Sequence, residues 1–203
     1  MAGIDERKVL TKLVEYLRES LSYEIWHWKN YVLRAKELFP RRPEIDLIIC
    51  RKEKDAKVPP LFAAEVKYIR STKTGRVSPS YYSGLDEALA LLILGFDKVM
   101  LIHLVEEKVL SMVFLDYAKL LSGTIKSLKL PLGYRVYALT LSGDLYIYRT
   151  IRLGTGNTYN LEDLWVTPPP NPLLKGNSSL GEIVRRNRRA LVNTLGIKDV
   201  HPY

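Results

Sequence analysis

Two apolar segments that each carry charge constrain this chain most. They are Pro43-Glu44-Ile45-Asp46-Leu47-Ile48-Ile49-Cys50 and Leu61-Phe62-Ala63-Ala64-Glu65-Val66-Lys67. Short runs of this kind, bounded by polar and turn-forming residues, are expected to be strands. Residues i and i+2 of a strand project from one face, so Glu65 and Lys67 emerge side by side. Asp46 reaches them if the two segments pair. Charges among apolar neighbours are costly unless they are paired or bind a metal. Two carboxylates beside an ammonium make a site for a hard divalent cation and an attacking water. A surface hairpin with an ordinary Glu65–Lys67 ion pair accounts for the same residues, and at this level both readings stand.

The flanking segments supply the rest of a fold. Asp5 to Leu21 places Leu10, Leu13, Val14, Leu17 and Leu21 on one stripe and reads as an amphipathic helix. Tyr23 to Leu33 reads as a first strand, Glu44 to Cys50 as a second and Leu61 to Ile69 as a third. A second helix runs from Gly84 to Gly95, and Val99 to Val105 is an apolar strand suited to burial on both faces. The order is helix, three strands, helix, strand. Beyond it, Glu106 to Leu121 repeats its apolar residues at helical spacing. Arg135 to Leu141 and Leu145 to Leu153 form a hairpin about Ser142-Gly143-Asp144. Gly154 to Ser179 is loop-like around Thr167-Pro168-Pro169-Pro170-Asn171-Pro172, and a basic helix covers Leu180 to Leu195. The expected organisation is an α/β core over residues 1–105 with a C-terminal elaboration over 106–203.

Composition narrows the partners. The chain of 203 residues has a formal net charge of +9, which favours polyanions through phosphate neutralisation. Cys50 is the single cysteine, so no intramolecular disulfide and no cysteine-based zinc site are expected. No run is long and apolar enough to span a membrane, and Met1-Ala2-Gly3-Ile4-Asp5-Glu6 has no apolar signal core; a cytoplasmic protein is expected. The sequence has no glutamine, and depletion of thermolabile amides is a compositional mark of thermophiles.

Asp46, the charged hairpin Arg51 to Lys57 and Glu65-Val66-Lys67 together resemble the PD-(D/E)xK nuclease superfamily, the restriction-endonuclease-like fold. Pro43 stands three residues before Asp46 rather than next to it. Where many relatives carry Gln and Tyr on the second helix, this chain has Gly84-Leu85-Asp86-Glu87. The resemblance implies a mixed sheet flanked by helices and metal-dependent hydrolysis of phosphodiesters in DNA, with RNA as the alternative substrate. It implies Mg²⁺, or Mn²⁺ in its place, held by Asp46, Glu65 and the Val66 carbonyl. Lys67 would position the attacking water. The iron–sulfur relatives are excluded, because they need four cysteines.

Further residues join this expectation. Gly3-Ile4-Asp5-Glu6-Arg7 is similar to the opening of archaeal Holliday-junction resolvases, which implies a site role for Glu6. On the helical wheel Glu6 falls beside Leu13, whereas Glu15 and Glu19 lie on the solvated side; favouring the helix dipole is the alternative role for Glu6. Arg70, Lys73, Arg76 and Tyr82 follow the third strand and are candidate contacts to a phosphate backbone and an unpaired base. Arg185, Arg186, Arg188 and Arg189 form the densest basic cluster and are candidate phosphate contacts, with a solvated face as the alternative. Two other functions fit the same fold: a nucleic-acid-binding or scaffold module of little catalytic power, and a junction resolvase, which would require a homodimer.

Overall fold

The computed structural model describes residues 6–20, 25–32, 44–51, 60–72, 74, 76–78, 80, 82–142, 145–151, 153 and 168–197. Helix α1 (Glu6–Ser20) precedes strands β1 (Ile25–Val32), β2 (Glu44–Arg51) and β3 (Leu61–Ser71). A short β4 (Val77–Ser78), helix α2 (Leu85–Ile93) and strand β5 (Lys98–Glu106) follow. After them come helix α3 (Met112–Ser127), β6 (Gly133–Ser142), β7 (Leu145–Thr150) and helix α4 (Ser179–Thr194). The main sheet runs β1-β2-β3-β5-β6-β7, with β4 paired to the end of β3. β2 runs antiparallel to both β1 and β3, β5 and β6 run parallel to β3, and β7 returns antiparallel. The chain is therefore an α/β protein with a mixed, open sheet of six strands flanked by helices.

Alternation along β3 sorts the two faces. Phe62, Ala64, Val66 and Tyr68 pack with Val9, Leu10, Leu13 and Val14 of α1. Leu61 and Ala63 instead pack with Ala88, Leu91 and Leu92 of α2 and Leu191 and Val192 of α4. Four buried side chains at ~1.5–3 kcal/mol each hold α1 down. Its Lys12–Glu15 pair, exposed at the surface, adds only ~0.3–0.5 kcal/mol. Tyr148 of β7 adds a directed contact, its hydroxyl donating to the Val9 carbonyl at 2.9 Å.

Two expectations from sequence change here. The helix expected from Glu106 begins at Met112, after a 3-10 turn at Glu107–Val109. Glu106 belongs to β5, where its carboxylate accepts from the Tyr68 hydroxyl and the Ser71 amide. Ser111 caps α3 by accepting from the Phe114 amide. The expected loop contains a second 3-10 turn, Pro172–Leu174, while residues 154–167 lie outside the described set.

The expected divide after residue 105 falls at the end of β5, and β6 beyond it extends the same sheet. C-terminal residues also hold the C-terminal end of α2. Asn171 Nδ2 donates to the Leu92 and Phe96 carbonyls, and Asn187 Nδ2 donates to the Ile93 carbonyl. The Leu92 and Ile93 carbonyls belong to the last turn of α2, where a helix lacks internal donors, so these bonds add to the Gly95 amide that Leu92 already accepts. Gly95, at φ 92°, lets α4 approach closely: a Cβ there would stand 2.8 Å from the Arg188 backbone. Arg188 then reaches Asp97 at 2.7 Å, and the same carboxylate accepts from the Leu61 amide.

Candidate active site

The registered pairs between β2 and β3 run from Cys50–Leu61 to Leu47–Ala64. One step further, where Asp46 would face Glu65, the ladder stops. Asp46 Oδ2 instead accepts from the Val66 amide at 2.8 Å. A side-chain carboxylate thus takes the place of a ladder carbonyl, and the two strands part around it. Asp46 lines a cavity of about 250 Å³ together with Arg7, Glu44, Val66, Lys67 and Tyr68.

Glu65 is buried, and its carboxylate is 2.7 Å from the Lys67 ammonium. Burial holds Glu65 well above the usual carboxylate range; the nearby Asp46 charge pushes the same way, and Lys67 offsets part of both. On Lys67 burial favours the neutral amine, but ion pairs with Glu65 and Glu87 outweigh it and keep the ammonium charged. The second of these pairs, Lys67 to Glu87 on α2, measures 2.8 Å. Lys67 is consequently a bridge between a buried carboxylate and one at the surface, since the Glu87 side chain is 52% exposed.

Gly84 makes that bridge sterically feasible. It precedes α2 at φ 88°, and a Cβ there would lie 2.8 Å from Leu101 Cδ1 and 3.0 Å from Lys67 Cγ. The lysine stem therefore lies across a residue that has to be glycine, both for its backbone conformation and for space. Beneath it, His103 of β5 fixes the approach to α2. Its Nε2 is 3.1 Å from the Ser83 carbonyl, and its Nδ1 is 2.9 Å from the Tyr134 hydroxyl. A carbonyl only accepts, so Nε2 carries the hydrogen and Nδ1 accepts from Tyr134. Burial, with the Lys67 charge adding to it, pulls His103 down to about 4 despite the Ser83 contact, so the ring is neutral.

Arg70 lines a second, open cleft of about 440 Å³ with Lys67, Ser78, Ser83, Asp86 and Glu87, and its guanidinium sits 5.6 Å from the Tyr68 ring centroid. Arg76 and Tyr82 are exposed and are not among the residues that line it. Lys73 lies outside the described residues, as does the Glu6 side chain, although the Glu6 backbone opens α1.

The α4 arginines do not form one solvent face. Arg186 and Arg189 are exposed, whereas Arg185 is half-buried and donates to the Gly176 carbonyl at 2.5 Å. Arg188 corrects the expectation of four phosphate contacts: its side chain is 3% exposed and paired with Asp97, inside the protein. Burial holds Asp97 above its ordinary range even with that arginine beside it.

Sequence reasoning did not single out Glu87, Gly84 or the His103–Tyr134 pair as parts of the site. Glu87 occupies the second-helix stretch that lacks glutamine, which was the available signal. Among the described residues no group of three or more His, Cys, Asp and Glu side chains stands together as a metal cluster. Asp46 and Glu65 supply two hard carboxylates, and the Val66 carbonyl is a third oxygen of the same class. That donor chemistry suits Mg²⁺ or Mn²⁺ and does not suit softer metals. No helix among the described residues is long and apolar enough to cross a membrane. No protein-family model and no curated protein matches the chain.

Proposed function

We propose that this chain is a metal-dependent nuclease on a restriction-endonuclease-like core, hydrolysing phosphodiester bonds in DNA or, as the alternative substrate, RNA. The observation that carries the reading is the meeting of Asp46, Glu65 and Lys67 where β2 parts from β3. The order α1-β1-β2-β3-α2-β5, with a parallel β3–β5 step after an antiparallel meander, supports the fold part of it.

Asp46, Glu65 and the Val66 carbonyl would hold a Mg²⁺ or Mn²⁺ ion, with Glu6 as a further ligand or as a residue that orients the shell. Such an ion supplies an activated water and neutralises charge on the phosphoryl group. The protein's own groups do the rest. The Val66 amide fixes the Asp46 carboxylate through one oxygen. Lys67 keeps its proton because Glu65 and Glu87 flank it, so it acts as a cationic positioner of the water and of developing negative charge, not as a base. Arg70 lines the cleft through which a phosphate backbone would reach Lys67, and exposed Arg76 and Tyr82 would extend that contact.

A second reading, a binding module of little catalytic power, is favoured by one observation: both carboxylates beside Lys67 already engage it. The two are separated by incubating labelled single-stranded, duplex, flap and four-way-junction DNA and RNA with Mg²⁺, Mn²⁺ or EDTA. Asp46→Ala and Lys67→Ala accompany the wild type. Metal-dependent cleavage lost in both variants is expected. Binding without cleavage under every metal and temperature selects the second reading.

A further inference from the structure

The start of α2 is anchored through its backbone. Gly84, the N-cap, has no side chain with which to close the helix. The first helical bond uses the Gly84 carbonyl, which accepts from the Ala88 amide at 2.8 Å. The Ser83 carbonyl, one residue earlier, instead meets Nε2 of His103. Ser83 is itself set in a turn: its amide donates to the Ser80 carbonyl at 3.1 Å, and its hydroxyl lies 2.9 Å from that of Ser80. His103 is fully buried, and an enclosed donor that loses its acceptor is costly, so the ring holds Ser83 in place.

We propose that Tyr134 and His103 are positioning residues for Lys67, acting through the Ser83–Gly84 segment; the catalytic meaning of this role rests on the nuclease reading above. Lys67 and His103 are register partners on the parallel strands β3 and β5, so their side chains leave one face of the sheet side by side. The lysine stem then runs against Gly84, where a Cβ would stand 3.0 Å from Lys67 Cγ and 3.1 Å from Lys67 Cε. A shift of Ser83–Gly84 therefore displaces the stem directly. It also displaces Glu87, in the first turn of α2, which holds the tip of the same side chain at 2.8 Å.

Tyr134 of β6 sets the histidine. Its ring stands edge-on to the imidazole, with centroids 5.2 Å apart and planes at 87°, and its hydroxyl lies 2.9 Å from Nδ1. By donating to Nδ1, that hydroxyl keeps the ring hydrogen at Nε2, where Ser83 accepts it. A hydroxyl on β6 thus bears on the ammonium through a histidine, a carbonyl and a glycine. A histidine that merely fills the core is the competing account. Packing alone costs stability when the hydroxyl is lost; positioning also moves the lysine.

The test reads the Lys67 ammonium by nuclear magnetic resonance in the full chain labelled with heavy nitrogen, the signal being identified by its loss in Lys67→Ala. Tyr134→Phe removes the hydroxyl and keeps the ring. His103→Leu removes both ring nitrogens, whereas His103→Gln supplies one donor and one acceptor again. Ser111→Ala, which loses the hydroxyl capping α3, is the control for stability. The ammonium signal should shift or broaden in Tyr134→Phe and His103→Leu, and stay as in the wild type in His103→Gln and Ser111→Ala. Single-turnover cleavage with Mg²⁺, well below the melting range, should fall ~10-fold in Tyr134→Phe and ~100-fold in His103→Leu, and return to within ~5-fold of wild type in His103→Gln. DNA affinity in EDTA should change by less than ~2-fold, because the Lys67 charge remains. A Lys67 signal identical to wild type in both Tyr134→Phe and His103→Leu overturns the inference, as does a rate loss no larger than that of Ser111→Ala. The signal decides even in a chain that cleaves nothing, so a failed nuclease reading is told apart from a failed positioning role.

Discussion

Replacing Arg188 by Met separates a structural arginine from a phosphate-binding one. Met retains much of the volume and removes the charge, leaving Asp97 with the Leu61 amide as its main partner. Removing one member of a buried ion pair costs ~3–5 kcal/mol, mostly from the charge left behind. Here Arg188 is almost fully enclosed, but the Asp97 side chain is 20% exposed and regains some water, which places the expected cost at the lower end, ~3 kcal/mol. A chain of this size loses ~2–4 °C of thermal midpoint per kcal/mol, so the shift is ~6–12 °C. Thermal unfolding followed by circular dichroism reads it directly. Adding Asp97→Asn should recover more than half of the loss, because the stranded charge is then gone. The salt slope of DNA binding should stay as in the wild type. A midpoint shift below ~2 °C, combined with a slope reduced by ~1, would refute the argument and restore Arg188 to the nucleic-acid surface.

Gly84→Ala should cost ~1–3 kcal/mol from positive φ and the approach to Leu101. It should also impair cleavage more than its midpoint implies, because Lys67 is displaced; compare single-turnover rates well below the melting range. Glu87→Gln removes the exposed partner of Lys67, so a fall in cleavage of no more than ~5-fold and tighter DNA binding are expected from kinetics and titration. His103 has its folded pKa, about 4, below the unfolded 6.5, so between those values the unfolded chain binds the extra proton. Its contribution is therefore fully present above pH 6.5 and lost as pH falls toward 4, by ~3 kcal/mol. Denaturant midpoints of wild type and His103→Phe should converge over that window. Tyr148→Phe removes the tie from β7 to the Val9 carbonyl, which keeps its helical partner, and should destabilise by ~0.5–1.5 kcal/mol in the same assay.

Strands and helices with a clean period were legible in the sequence. Alternation put Glu65 and Lys67 on one face, and the order of α1 to β5 followed from apolar spacing. The start of α3 was misjudged because Val109 and Leu110 share its period, while the deciding bonds of Glu106 come from β3, distant in sequence. The helical period of α4 does carry the position of Arg188. At about 100° per residue it falls between Val184 and Val192, inside the buried arc of α4, whereas Arg186 and Arg189 point away. Charge density alone treated the four as equivalent. Glu87 could not be placed without knowing how α2 crosses β3, since its meeting with Lys67 depends on a crossover and not on local spacing. Asp46 bonding to the Val66 amide belongs to the same kind of fact: period 2 brings residues to a face, but not to the break in a ladder.

The grip of the C-terminal residues on α2 has a consequence for the timing of synthesis. Every residue of the Asp46–Glu65–Lys67–Glu87 group has been made by position 87, but Asn171 and Asn187, which hold the far end of the helix carrying Glu87, and Arg188, which grips Asp97 just beyond it, come much later. At ~5–20 residues per second, the 101 positions from 87 to 188 take ~5–20 s to translate. Through that interval a nascent chain owns the chemical groups without the fastening that aims one of them. On the function proposed above, a nascent chain is then expected to gain competence only once α4 has been made.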